Sequence, residues 1–199
     1  MRRTCWLALL VLTTSACSSL HEVAYYPDPT HPDTRLLSEV LWHAAKAGRD
    51  DPGEYSFAMI RSPRVAAYTV EDATFYFTEG LARQPVSVIE ALVAHEVSHE
   101  LLGHIGQRRA VALSLLNVFV NPLFVRTYTR DQEIAADLKA VEILQNIGHD
   151  APRRTLADAL RAAAAINGPP RGGWLTPEVS LEDRLGRLEP LETEKRAAN

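Results

Sequence analysis

Two histidines four residues apart, His95 and His99, with Glu96 directly after the first, constrain this chain more than any other feature. In an α-helix, positions i and i+4 project from one face, so both imidazoles can reach a single metal ion. The surrounding residues read as such a helix, opened by Pro85 and running to about Gly106. Glu96 then stands beside the metal rather than on it, placed to accept a proton and to return one.

Zinc used catalytically usually has three protein ligands and one open position. The segment Arg130-Asp131-Gln132-Glu133-Ile134-Ala135-Ala136-Asp137 offers the missing donor in a second helical pattern. Glu133 and Asp137 are also spaced i, i+4 and share a face. One carboxylate can bind the metal, and the other can accept the free N–H of a ligand histidine and fix its tautomer. Two histidines and a glutamate suit hydrolytic zinc better than a cysteine set does. The blander reading of Asp131 and Glu133 is an exposed helix start favoured by the helix dipole; the paired histidines upstream favour the metal.

HEVSHELLGH followed by EIAAD resembles the HExxH…ExxxD pattern of the M48 metallopeptidases, which are gluzincins. Ala73 to Leu81 is similar to the family's strand before the active-site helix, which runs into a Thr/Ser-x-Gly-Leu turn. Ile147 to Pro152 resembles the turn that ends the family's glutamate helix. Ser180 to Leu185 resembles its C-terminal segment ending in Arg-Ile. The likeness runs from about Tyr55 to Leu188. It implies His95, His99 and Glu133 as ligands of one Zn2+ per chain, Glu96 as general base, and Asp137 orienting a ligand histidine. Arg184 falls where the family places a cleft arginine, able to hold an aspartate, a substrate carbonyl or an oxyanion. The chain departs from the pattern at Glu178-Val179, where many members carry His-Pro, and at Arg64-Val65, where many carry Asn-Ala.

The N-terminus speaks to location. Met1-Arg2-Arg3 precedes an apolar run, Trp6 to Leu12, too short to span a bilayer. Thr14-Ser15-Ala16-Cys17 resembles a bacterial lipobox, with Thr14 in place of leucine. Cleavage before Cys17 leaves a lipid-modified cysteine, so acyl chains rather than a helix anchor the protein. Ser18 after it implies the outer membrane. Cys5 and Cys17 are the two cysteines of the chain; one leaves with the leader and the other is acylated, so no disulfide is expected. The formal charge of −4 gives no reason to expect a nucleic-acid partner.

The expected organisation is a signal peptide over residues 1–16 and a lipidated tether over 17–34. One metallopeptidase domain follows over 35–194, then a frayed tail over 195–199. The fold class expected is α+β: a mostly helical zincin-like domain with a small antiparallel sheet beside the active-site helix. Tyr55 to Ile60, Val65 to Val70 and Thr74 to Thr78 are its strands, read as a meander. Thr74 to Thr78 is the expected edge for an extended substrate. Leu36 to Ala47 and Leu156 to Ile166 read as further helices. Ala110 to Val125, nearly all apolar, reads as a buried helix and turn or as an apolar lip meeting lipid or substrate. His104, half a turn from His95, is a poor zinc ligand and better suited to a supporting role. Tyr128 is a candidate helper for oxyanion charge beside Arg184.

These observations lead to the expectation of a lipid-anchored, zinc-dependent endopeptidase of the bacterial envelope. It faces the periplasm from the inner face of the outer membrane and acts on unfolded or misassembled envelope proteins. A zinc-stabilised binding module or assembly chaperone with latched peptidase activity is the alternative. A structural lipoprotein with a chance motif is the third.

Overall fold

The computed structural model describes residues 24–70, 73–106, 128–168 and 179–193. Cys17 and the leader, the Ala110 to Val125 segment, the loop at Arg171 to Trp174, Glu178 and the tail lie outside the described residues.

Strand β1 (Ala24–Tyr25) leads to helix α1 (Pro32–Gly48) and strands β2 (Ser56–Ile60), β3 (Ala67–Val70) and β4 (Thr74–Thr78). A short helix α2 (Glu79–Ala82) precedes α3 (Val86–Leu101), followed by α4 (Arg130–Ile147), α5 (Pro152–Asn167) and α6 (Leu181–Leu188). The α+β class expected from the sequence is what forms. Near the N-terminus the boundaries differ from expectation. Tyr25 and Ala24, assigned by composition to a tether, pair with β2, and α1 starts at Pro32.

The sheet is mixed rather than an antiparallel meander. Its order is β1-β2-β4-β3, with β2 and β4 parallel and β3 antiparallel to β4. The reason lies at the end of β4. The link from β2 to β3 crosses over that end and is fastened there: the Gly80 N–H donates to Ser62 O (2.9 Å), the Thr78 hydroxyl to Arg64 O (2.6 Å), and the Thr78 N–H to Ala66 O (3.1 Å). A Cβ at Gly80 would lie 2.2 Å from the Arg64 carbonyl oxygen, so only glycine admits the crossing strand. Having passed over β4, the chain can return only on its far side. β4 is therefore interior, and β3 is one of the two edge strands among the described residues, with β1 the other, a correction to the expectation that Thr74–Thr78 would be the edge.

Phe75 and Phe77 on one face of β4 are fully buried, in one core cluster with side chains of α3 and α1. Helix α3 is apolar on every side, with Ile89, Ala91, Leu92, Val93, Ala94 and Val97 buried. Such a helix belongs at the centre of a domain, and it packs against α1, α4, α5 and β3. Its central position draws His95 and His99 into the interior. No helix among the described residues is long and apolar enough to cross a membrane.

Candidate metal centre

Helix α3 carries the histidines and α4 carries the acids. A reciprocal capping box opens α4: Thr129 accepts from the Gln132 N–H, and the Gln132 side chain accepts from the Thr129 N–H. Its first turn lies beside the last turns of α3. Gly148, at φ 112°, ends it, its N–H donating to Leu144 O and Gln145 O.

The structure brings His95, His99 and Glu133 together. The Nε2 atoms of the two histidines are 3.1 Å apart. Glu133 Oε2 lies 3.3 Å from His95 Nε2, and Glu133 Oε1 lies 3.7 Å from His99 Nε2. Zinc bound tetrahedrally at about 2.0–2.1 Å spaces its ligand atoms by roughly 3.3–3.4 Å. The donor set therefore fits zinc in both type and spacing.

Each ligand histidine is held through its other ring nitrogen. His95 Nδ1 lies 3.0 Å from Asp137 Oδ1, and Asp137 is fully buried. His99 Nδ1 lies 3.0 Å from His104 Nδ1. If His99 uses Nε2 for the metal, its Nδ1 carries the proton and donates to a bare His104 Nδ1. Burial lowers the His104 pKa, the direction that favours the neutral ring this role requires. His104 reaches this place because α3 ends at Leu101, earlier than the expected Gly106. The chain then turns through Gly103 at φ 65°, which brings His104 back against His99. Tyr128 stacks face-on against His99, with ring centroids 3.6 Å apart, and so walls the ligand in.

Arg184 comes from α6, which Ser180 caps and which Asp183 fastens to Arg130 at 2.9 Å. Its Nε donates to Asp137 Oδ2 (2.8 Å) and its Nη2 to Asp137 Oδ1 (2.6 Å), while Nη1 lies 3.5 Å from Glu133 Oε2. Of the roles open to this arginine, the aspartate contact is the one the geometry displays. The guanidinium is spent on the acids that orient and complete the donor set, so it acts as a positioning group rather than a free oxyanion donor.

Burial and Arg184 both push His95 down, yet hydrogen bonds to Asp137 and Glu133 outweigh them and raise it to about 9. Burial alone would raise Asp137 and Glu133, but Arg184 and His95 hold Asp137 at about 2, and the His95 contacts keep Glu133 below its ordinary range. Arg184 and the raised His95 balance the two carboxylates, and a metal bound by His95 would take the place of its proton.

Glu96 points from the same turn of α3. Burial raises its pKa, with His95 and Thr69 opposing. Thr69 on β3 donates to Glu96 Oε2 at 2.8 Å. Nothing in the local sequence marks Thr69, because its partner is 27 residues away across a helix–strand contact. His104 carried a weak signal through its place just past the ligand pair.

Residues 30–121 match the model of peptidase family M48. No curated protein matches the chain. The match ends before Glu133, so it is the geometry that brings Glu133, Asp137 and Arg184 to the two histidines.

Proposed function

From the match of residues 30–121 to peptidase family M48 and the geometry of the site, we propose that the chain is a member of that family and a zinc-dependent endopeptidase whose general base is Glu96. The observation that carries this reading is the convergence of His95, His99 and Glu133 at the spacing of a tetrahedral site, with Glu96 on the adjoining helical position. His95 and His99 would hold the ion through Nε2, and Glu133 through its carboxylate. When bound, the zinc supplies Lewis acidity that makes a water able to lose its proton near neutrality and polarises a peptide carbonyl.

The chain's own residues do the rest. The free edge of β3 is the place for an extended peptide to add as a further strand. Glu96 takes the proton of the attacking water as the new C–O bond forms, then returns it to the leaving amine as the C–N bond breaks. Asp137 and His104 hold the two imidazoles in register, and Arg184 holds Asp137.

The cellular reading rests on residues outside the described ones. Cys17 after Thr14-Ser15-Ala16 supports lipid anchoring in a bacterial envelope, with unfolded or misassembled envelope proteins as substrates and outer-membrane quality control as the role. Metabolic labelling with a fatty acid, lost in Cys17→Ala, tests the anchor.

The decisive experiment is cleavage of an unfolded protein by the wild type and by Glu96→Gln, with zinc content measured for both. The expected result is equal zinc and a Glu96→Gln enzyme slower by about 100-fold or more. Equal cleavage by both proteins would overturn the mechanism. Full zinc with no cleavage by either would favour a binding module instead.

A further inference from the structure

Thr69 stands where the sheet edge meets the glutamate that moves protons. Its hydroxyl lies 2.8 Å from Glu96 Oε2 and 3.0 Å from the Glu96 carbonyl oxygen. A carbonyl and an ionised carboxylate only accept, so the threonine's single O–H proton is shared between the two, and the carboxylate is the nearer acceptor. Thr69 is 3% exposed, which leaves water little chance to replace it.

The hydroxyl is held from two directions. Pairing of Thr69 with Phe75 fixes its backbone against β4, the best-buried strand. The β-branched side chain has few rotamers open to it in a strand. Glu96, by contrast, has a long side chain with several torsions and projects from a helix that does nothing by itself to choose among them. One short bond to Oε2 from a buried hydroxyl on a paired strand removes part of that freedom.

We infer that Thr69 is a positioning residue for Glu96, holding Oε2 so that Oε1 meets the reacting water. This rests on the peptidase reading above. It also ties two parts of that reading together. The strand that offers its free edge to a peptide is the strand that aims the base, so a substrate seated along β3 stiffens the residue on which proton transfer depends. The hydroxyl acts on the chemical step rather than on peptide binding, and its loss should appear in kcat with KM little changed.

The test compares Thr69→Val with Thr69→Ser in the purified full-length protein at equal zinc content. Valine keeps the volume, the branching and the strand preference but removes the donor. Serine keeps the donor but loses a buried methyl. Positioning predicts a fall in kcat of about 10- to 100-fold for valine, recovery to within about threefold of wild type for serine, and KM within about threefold in both. A purely structural role predicts the reverse order, with serine the worse, and that order overturns the proposal. A second readout needs no catalysis. In the metal-free protein, Thr69→Val should lower Tm in the wild-type background and much less in a Glu96→Ala background. An equal drop in both backgrounds shows that the bond does no work and also overturns the proposal. A wild type that cleaves nothing would sink the peptidase reading, while the Tm comparison still decides the contact.

Discussion

Replacing Asp137 with asparagine separates two things this carboxylate does. It is fully buried, accepts two bonds from Arg184 at 2.8 and 2.6 Å, and lies 3.0 Å from His95 Nδ1. The amide of Asp137→Asn would keep the shape while leaving the guanidinium without its main counter-charge. Breaking a buried pair from one side costs about 3–5 kcal/mol. Glu133 remains 3.5 Å from Nη1, and Arg184 keeps 17% side-chain exposure, so the low end applies, about 3 kcal/mol. In a domain of this size that lowers Tm by roughly 6–12 °C. Zinc affinity should fall about 10- to 100-fold, the usual effect of removing the partner of a metal-bound histidine. Adding Arg184→Met then removes the stranded charge. Folding stability should recover by half or more, because a buried pair replaced on both sides is close to neutral, whereas zinc affinity should stay low. Denaturant unfolding of the metal-free proteins and zinc competition against a chromophoric chelator read the two effects separately. A loss below about 1 kcal/mol in Asp137→Asn, or a further loss on adding Arg184→Met, would refute the argument that the pair is mutually compensating.

Gly80→Ala should fail to fold or lose more than about 3 kcal/mol, since the new methyl meets the backbone carbonyls of Pro63 and Arg64 at 2.3 and 2.2 Å; circular dichroism and solubility check it. Added zinc should raise the Tm of the wild type but not of Glu133→Ala, because a ligand stabilises only what it binds. The Glu192 carboxylate accepts from the Arg153 and Arg154 N–H groups at 3.1 and 3.0 Å and serves as the cap that Ala151 does not provide for α5. Its small burial would raise its pKa, but its own backbone N–H and then those of Arg154 and Arg153 lower it below the ordinary 4.5. The stabilisation is therefore present above 4.5 and lost as pH falls through the lowered value. The Tm difference between wild type and Glu192→Ala should be steady near neutrality and shrink below about pH 4.5; a difference that grows on acidification would contradict the cap.

Much of the site was legible because it obeys helix periodicity. His95 and His99, and then Glu133 and Asp137, each share a face by spacing alone, and the rule that a catalytic zinc takes three ligands joins the two pairs. Pro85, Gly148 and Pro152 punctuate the helices where such residues must. The apolar content of α3 likewise announces burial. What the sequence could not supply is the order of strands. Alternation and β-branching find β2, β3 and β4, yet no local pattern says that the link after β2 will cross over the end of β4. That follows from the fit of Gly80 beneath two carbonyls and from the Thr78 bonds, contacts between segments many residues apart. The strand order in turn makes β3 an edge and sets Thr69 against Glu96. The partner of Arg184 was open for the same reason, as was the return of His104. A side chain's residue type defines what it can bond, but its partner is decided by which elements pack together. Sequence alone therefore determined the donor set and the helices that carry it, through short-range periodicity. Only the tertiary structure decided which groups hold those donors still, because those bonds join α3 to β3, α4 to α6, and one ligand to a histidine past a glycine turn.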